Sequence, residues 1–525
     1  MMDRKTLLTV LIMLGFFIGW EKFYMDPRRQ AQVSASATKE APASVALGQG
    51  ESAPGSLQPQ SSSPVVGPET TVAVDMGSSV LTLTNRAKLF KSWELKKYRE
   101  SLAKDAMAIS LGDLSHQADG LGEILFDRPE YLYLSKVSGE LKEEADRVVW
   151  TYQDQNVHMT RTVLKPAPGA LTVDLEVAAE FAATPARNLF ISLTSETRDA
   201  DSDIMDRKLV RYAESEFKGV ELKGSVEQAA IPHPIRWAGL ANRYFLMSLL
   251  SADSNPTTGL VQGLGENRAR IMVVYPVQGN RIQAKMKAFF GPKELGLLRK
   301  VDPTLESTID FGFFTLFAYP LLRFMKLLND VVSNWGVAII LLTIAVKLLT
   351  FPLTYKSMKS MKQMAKINPQ LQKLREKYAD DKEALNREMM VLMKTQGYNP
   401  VAGCLPILIQ MPVFFALYRV LYSSTELYQA PFMLWIHDLS AKDPLYITPV
   451  LLTAVMFIQQ KLTPNTATDP VQAKMLQFMP VMFGVFMLQL PAGLTLYMLV
   501  NALASIVQQV LMNRKFAGDS AVATA

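Results

Sequence analysis

The stretch NWGVAIILLTIAVKLLTFPLT, residues 334–354, decides the fold: it holds a single ionisable side chain, Lys347. At 1.5 Å per residue a helix of that length spans about 30 Å, the thickness of a bilayer's hydrocarbon core. Residues 401–422, 444–461, 475–490 and 491–512 have the same character, and none of the five stretches contains Asp or Glu. From Val401 to Met512, eight of 112 residues are Asp, Glu, Lys or Arg, against 96 of the other 413. A mean hydropathy of +0.10 over 525 residues is therefore the sum of two parts suited to two solvents. A single Cys and modest Gly and Pro counts exclude disulfide-rich and collagen-like chains, and abundant large apolar residues exclude a wholly disordered one.

Upstream of these spans the chain changes character three times. Residues 1–25 place Arg4 and Lys5 before an apolar run from Thr6 to Trp20, which predicts an N-terminal transmembrane signal anchor, although the run is shorter than the ~20 residues of a usual span. A cleaved signal peptide is the alternative, but the small residues Ala35-Ser36-Ala37 lie well beyond Trp20. Residues 26–70, rich in Ala, Ser, Pro, Gly and Gln, predict a flexible periplasmic linker. From 71 to 305 the period becomes two, as in Val157, Met159, Arg161, Val163 and in Leu171, Val173, Leu175, Val177, which predicts a large antiparallel β-sandwich. Residues 306–332 are apolar and aromatic but interrupted by Pro320 and followed by Arg323 and Lys326. They predict an amphipathic helix in the outer interface, with a short span as the alternative.

Charge sets the topology. The segment 355–400 carries ten Lys and Arg against five acids, whereas 423–443 has one Lys and three acids. Positive charge stays inside, so 355–400 is expected in the cytoplasm as a helical hairpin and 423–443 is a periplasmic loop. Residues 462–474 form a second cytoplasmic loop and 513–525 a short cytoplasmic tail. With the anchor, the fold class is a multi-pass α-helical membrane protein of six transmembrane helices, N-in and C-in, with a large periplasmic β-sandwich. In the hairpin, Pro369 suits a first helical turn, Asp380-Asp381 a break and recap, and Gly397 with Pro400 an end.

The chemistry-bearing residues are few. The four His are scattered, no metal-ligand spacing or phosphate-cradling Gly-rich loop appears, and no cofactor is expected. Lys347 lies just past the middle of its span on the cytoplasmic side, where it should face protein or water; snorkelling to the headgroups is the alternative. Gln410 and Asn501 sit near the middle of theirs, at depths where Lys347 could meet them in a wetted inner-leaflet cavity; for those two alone, interhelical hydrogen bonding is the more common explanation. Gln459, Gln460, Gln508 and Gln509 read as interfacial. In the hairpin Met358, Met361 and Met364 recur every third residue, either to hold varied hydrophobic segments or to pack helix on helix. Lys356, Lys359 and Lys362 form a basic face for lipid or, more sharply, for ribosomal RNA, with no motif for specific DNA.

The run Phe351-Pro352-Leu353-Thr354 into a Lys- and Met-rich hairpin resembles the bacterial YidC-type membrane protein insertases of the YidC/Oxa/Alb family. So do Gly403-Cys404-Leu405-Pro406-Ile407-Leu408-Ile409-Gln410-Met411-Pro412, Trp435-Ile436-His437-Asp438-Leu439-Ser440, Asp469-Pro470 before Met479-Pro480, and Gly493-Leu494 with Leu496-Tyr497. The β domain is similar to that family's periplasmic supersandwich through Trp237, Tyr244-Phe245 and Phe290-Gly291-Pro292-Lys293-Glu294. The resemblance implies a non-enzymatic insertase and chaperone of the bacterial inner membrane. Nascent membrane proteins, the ribosome, the Sec translocon and membrane lipids would be its partners. It also implies a positively charged groove, here Lys347, Gln410, Asn501, Thr343 and Tyr497, with Lys at 347 where Gram-negative members usually carry Arg. The tail after Met512 is expected to lack the long ribosome-binding extension of some relatives. A hydroxyl/Lys hydrolase using Thr343 and Lys347 is one alternative and a solute transporter another; the first lacks an oxyanion-hole motif and the second lacks carboxylates in the spans.

Overall fold

The computed structural model describes residues 67–522 except 104, 112–120, 197–206, 223–225, 232–233, 253–256, 310, 379–380, 396–399 and 464–469. The expected anchor and nearly all of the linker lie outside the described residues. The chain divides into two compact units: one holds the β domain to Gly312 together with Ser423–Gln429, the other Phe313–Tyr422 and Ala430 onward.

The β unit is antiparallel throughout. A nine-stranded sheet runs in the order Glu216–Glu221, Lys208–Ala213, Ile235–Ala241, Phe245–Ser251, Arg281–Pro292, Val173–Phe181, Val157–Leu164, Arg147–Gln153, Glu140–Glu143. A six-stranded sheet runs from Ala229–Ile231 through Thr258–Gly265, Arg268–Pro276, Asn188–Glu196 and Leu121–Phe126 to Lys88–Phe90, and a four-stranded sheet holds Thr71–Asp75, Ser79–Thr84, Ser92–Arg99 and Ala108–Ser110. One continuous apolar core takes side chains from all three, including Leu83, Trp93, Ile124, Trp150, Val177, Ile191 and Phe290. The period-two pattern explains the pairing: Val173, Leu175 and Val177 are buried while Asp174 and Glu176 face out, in register with Ala288, Met286 and Ala284.

Arg161 belongs to the inward set of that pattern and is 1 % exposed. Its Nη2 donates to the Thr84 carbonyl at 2.6 Å and its Nη1 to that of Arg86 at 3.3 Å, and the guanidinium stands 5.6 Å from the Trp150 ring centroid. Burial pushes its pKa down to about 9, so it stays charged at neutral pH, solvated by carbonyl dipoles. After the last strand comes α1 (Leu295–Val301), and Asp302 follows, accepting from Thr304 and from Arg236 Nε at 2.8 Å. Ser423–Gln429 completes the unit. Leu427 is fully buried, Thr425 Oγ1 donates to the Tyr244 carbonyl, and the Tyr428 ring meets Tyr98, Tyr244 and Phe245.

The helical unit contains, among the described residues, α2 (Thr315–Val332), α3 (Trp335–Lys377), α4 (Lys382–Thr395), α5 (Pro400–Ser423), α6 (Ile447–Leu462), α7 (Pro470–Met487) and α8 (Ala492–Val522). Trp335–Pro352 and Ala492–Arg514 are long and apolar enough to cross a membrane, and Ile447–Leu462 and Gln477–Met487 are shorter apolar stretches. Large apolar side chains point outward along them, among them Leu348, Leu349, Val450, Phe478, Val485, Val507 and Leu511. That surface suits lipid and would be an aggregation hazard in water. In α2, Ala318, Leu322 and Met325 form a buried stripe at helical spacing, and Leu316, Phe317, Leu327 and Val331 are exposed on the remaining surface.

The hairpin differs from the sequence reading in one respect. Pro369 does not open a new helix: α3 passes through both Pro352 and Pro369 without a break. The second helix begins where expected chemistry puts it, because Asp381 Oδ1 accepts from the backbone N–H groups of Glu383 and Ala384. Pro400 opens α5, where its missing N–H costs nothing.

The loop from Ala430 to Tyr446 ties three helix starts together. The Asn334 side chain caps α3 through the Val337 N–H and donates to the Phe432 carbonyl, while Gly336 leaves room for the Phe432 ring, which any Cβ there would strike. The carbonyls of Leu439 and Ala441 accept from the first N–H groups of α8, those of Gly493 at 2.9 Å and Ala492 at 2.7 Å. Asp443 accepts from Thr448 in the first turn of α6.

Candidate functional site

The site is built on one face of α8, where Tyr497, Asn501 and Ser505 follow at intervals of four residues. From α3, Lys347 Nζ donates to Ser505 Oγ at 2.7 Å, and Gln508 Nε2 reaches the Lys347 carbonyl at 3.4 Å. From α5, Gln410 Nε2 donates to the Tyr497 hydroxyl at 3.3 Å. Asn501 lies between these two contacts, and its carboxamide makes no hydrogen bond among the described residues; its carbonyl accepts from Ser505 Oγ at 2.8 Å. The polar groups of three helices thus converge on a single α8 stripe.

Lys347 does not meet Gln410 or Asn501 side chain to side chain; Ser505 takes that role. Sequence reading missed Ser505, which the step of four from Asn501 places on the same face without revealing its partner, and it read Gln508 as interfacial. Gln509, read as interfacial, is buried and donates to Thr463 Oγ1 at 3.0 Å. Thr343 is buried one turn before Lys347, with its hydroxyl donated to the Ile339 carbonyl.

The proton directions matter chemically. Ser505 gives its hydrogen to the Asn501 carbonyl and accepts from Lys347, so the serine solvates a cation and is not activated as a nucleophile. Thr343 is likewise committed to its own helix. On the Lys-rich extension of α3, Lys356 and Lys359 are exposed, Lys362 is half-buried, and Met358 is buried with Met361 half-buried beside it. On α4, Met390 and Val391 are exposed.

At the other end, Asp443 receives four hydrogen bonds: from Trp435 Nε1 at 3.1 Å, Leu445 N at 3.0 Å, Thr448 N at 2.7 Å and Thr448 Oγ1 at 2.6 Å. Burial works to raise its pKa, but the bonds from Thr448, Leu445 and Trp435 outweigh it and hold the carboxyl below its usual range. No group of His, Cys, Asp and Glu able to hold a metal occurs among the described residues.

A helical unit with a lipid-facing apolar surface and an internal polar stripe, in one chain with a large antiparallel β domain, defines a multi-pass membrane protein with a water-soluble domain. Comparison with known proteins narrows the class. Residues 71–324 match the family model of the YidC periplasmic domain and residues 327–519 that of the 60Kd inner membrane protein. The membrane protein insertase YidC of Geobacter metallireducens is 32 % identical over 547 residues, covering 99 % of this chain and 100 % of the relative. That of Campylobacter jejuni is 41 % identical over 296 residues, 56 % of this chain and 55 % of its own. A crystal structure of an active YidC insertase with its first transmembrane domain resolved aligns at a TM-score of 0.36 and 20 % identity, over 85 % of this chain and 93 % of that one. The chain belongs to the YidC membrane protein insertase family. It is a membrane-embedded insertase with a periplasmic domain and is not an enzyme.

Proposed function

We propose that insertion runs through a groove lined by Lys347, Gln410, Asn501, Thr343 and Tyr497, with Ser505 added. The groove opens to the cytoplasm and inner leaflet of the bacterial inner membrane, in a six-span, N-in and C-in topology with the domain boundaries drawn from the sequence. The polar tail of a substrate enters against Lys347 while its apolar segment slides along α5 and α7 into lipid. Burying an apolar span of ~20 residues drives the step, and the groove lowers its barrier by hydrating and charge-pairing the tail. With the outside positive, each acidic group gains about 2.3 kcal/mol per 100 mV on crossing, so acidic tails are favoured. The insertase acts alone or beside the Sec translocon. Ribosomes approach the basic hairpin face of Lys356, Lys359 and Lys362, and Met358 and Met361 give the hairpin an adaptable apolar face.

The observation that supports this reading is Lys347 Nζ held 2.7 Å from Ser505 Oγ, a cation kept inside the helical unit by a neutral acceptor that an acidic group can outcompete. The test is insertion of a single-span substrate with an acidic tail into proteoliposomes. Lys347→Arg should retain activity, whereas Lys347→Glu should lose about tenfold or more, the effect of ~1.4 kcal/mol of lost attraction. Equal activity in the two variants removes the charge from the mechanism.

A further inference from the structure

Asp443 is 2 % exposed, and its four hydrogen bonds all come from neutral donors. Four bonds are more than capping α6 requires. Two of them, from Trp435 and Leu445, fold the loop back on itself on either side of the segment whose carbonyls, at Leu439 and Ala441, receive the start of α8. The same loop presents Phe432 to Asn334 and Gly336 at the start of α3. α3 and α8 therefore both start against this loop, and the Lys347–Ser505 contact farther along each shows that they run the same way.

Counting inward gives the consequence. Lys347 lies thirteen residues beyond Asn334, and Ser505 lies twelve beyond Gly493. At 1.5 Å per residue these are depths of about 20 and about 18 Å from the loop, so the partners meet because both helices are indexed from one place. A slip of one turn between the helices, about 5.4 Å, would part the Lys347 ammonium from Ser505.

We propose that Asp443 is a positioning residue for insertion: by locking the Ala430–Tyr446 loop it sets the depth register of α3 against α8 and keeps the Lys347 end of the groove shut off from the outside. The inference rests on the groove reading above. It assigns to the Trp435–Ser440 motif and the residues after it a task that the groove residues do not perform themselves.

The experiment places one cysteine at position 347 (Lys347→Cys with Cys404→Ser) and applies a membrane-impermeant maleimide to right-side-out or inverted vesicles. Insertion of the acidic-tail substrate is measured in parallel on chains that keep Lys347. With Asp443 intact, labelling is expected from the inner face alone. Asp443→Ala should raise labelling from outside about tenfold and lower insertion by a similar factor, as a population shift of ~1.4 kcal/mol would. Trp435→Phe and Thr448→Val, each sparing other bonds to Asp443, should give smaller shifts of both readouts in the same direction. These two variants carry the test if Asp443→Ala does not accumulate. Inside-only labelling with unchanged insertion in the Asp443 variant, or in both milder variants, overturns the positioning role and leaves the groove standing. Outside labelling of the chain with Asp443 intact overturns the groove topology, and this proposal with it.

Discussion

A lysine in an apolar helix must find acceptors or water, and Lys347 finds Ser505. A hydrogen bond to a charged group contributes about 1.5–3 kcal/mol when dry, and less where water can substitute, as it can for a half-buried Lys347. Ser505→Ala should therefore slow insertion of acidic-tailed substrates by about fivefold, or ~1 kcal/mol, and neutral-tailed ones by less. Equal effects on both tails in the same proteoliposome assay would make Ser505 a packing residue only. Lys347 was legible in the sequence because an isolated charge in a span stands out. Ser505 was not, because a serine in a helix can always bond its own i−4 carbonyl, as this one does with Asn501, and its second lone pair is invisible without the partner helix. Arg161 shows the same limit: the strand pattern placed it among inward-facing residues, but its acceptors lie some 75 residues earlier, at Thr84 and Arg86.

Elements were legible where apolar period alone decides them and less so where two signals compete. Proline normally breaks a helix or opens one, so Pro369 read as a first turn. The helix continues because the hairpin arm buries Ile367 and Leu371 on either side of it, and that packing offsets one missing backbone bond. The following helix depends on chemistry that sequence reading did find. Asp381 caps α4 with two backbone bonds, so Asp381→Ala should destabilise that helix by about 1 kcal/mol. Amide exchange in the first turn of α4 should then speed up roughly fivefold while α3 is unchanged. Uniform exchange changes across both arms would instead mean that the hairpin opens as one piece. The segment from Ser423 to Asp443, read as a single loop, is two structures. Ser423–Gln429 packs its Leu427 and Tyr428 into the β unit, and the rest locks helix starts. Charge counting assigns such a loop to a side of the membrane but carries no information about which partner each half meets.

At the scale of the whole molecule, two solvents imply two responses to pH. In the β unit Asp154 and Asp302 are held below the ordinary carboxylate range: burial would raise both, but hydrogen bonds from Tyr133, Asn156, Val157 and Tyr152 on the first, and from Thr304 and Arg236 on the second, outweigh it. Groups with lowered folded pKa stabilise fully above the unfolded value, about 4, and that contribution is lost as pH falls through the folded pKa. The tyrosines act at the other limit. Burial first, then Asp154, raises Tyr133 and pushes Tyr152 up to about 12, so the unfolded chain ionises before the folded one and stability declines as pH climbs past about 10. The β unit should thus hold a stability plateau between these limits. The five apolar stretches carry no Asp or Glu, so in acid the helical unit loses the Asp443 contribution in one loop and nothing comparable within those stretches. In detergent, the near-ultraviolet dichroism reporting the buried Trp93, Trp150 and Trp237 should collapse below about pH 3.5, while helical dichroism at 222 nm survives the same step. Loss of both signals in one transition would mean that the units fold as a single cooperative system, and the charge difference that separates them in the sequence would then have no counterpart in their stability.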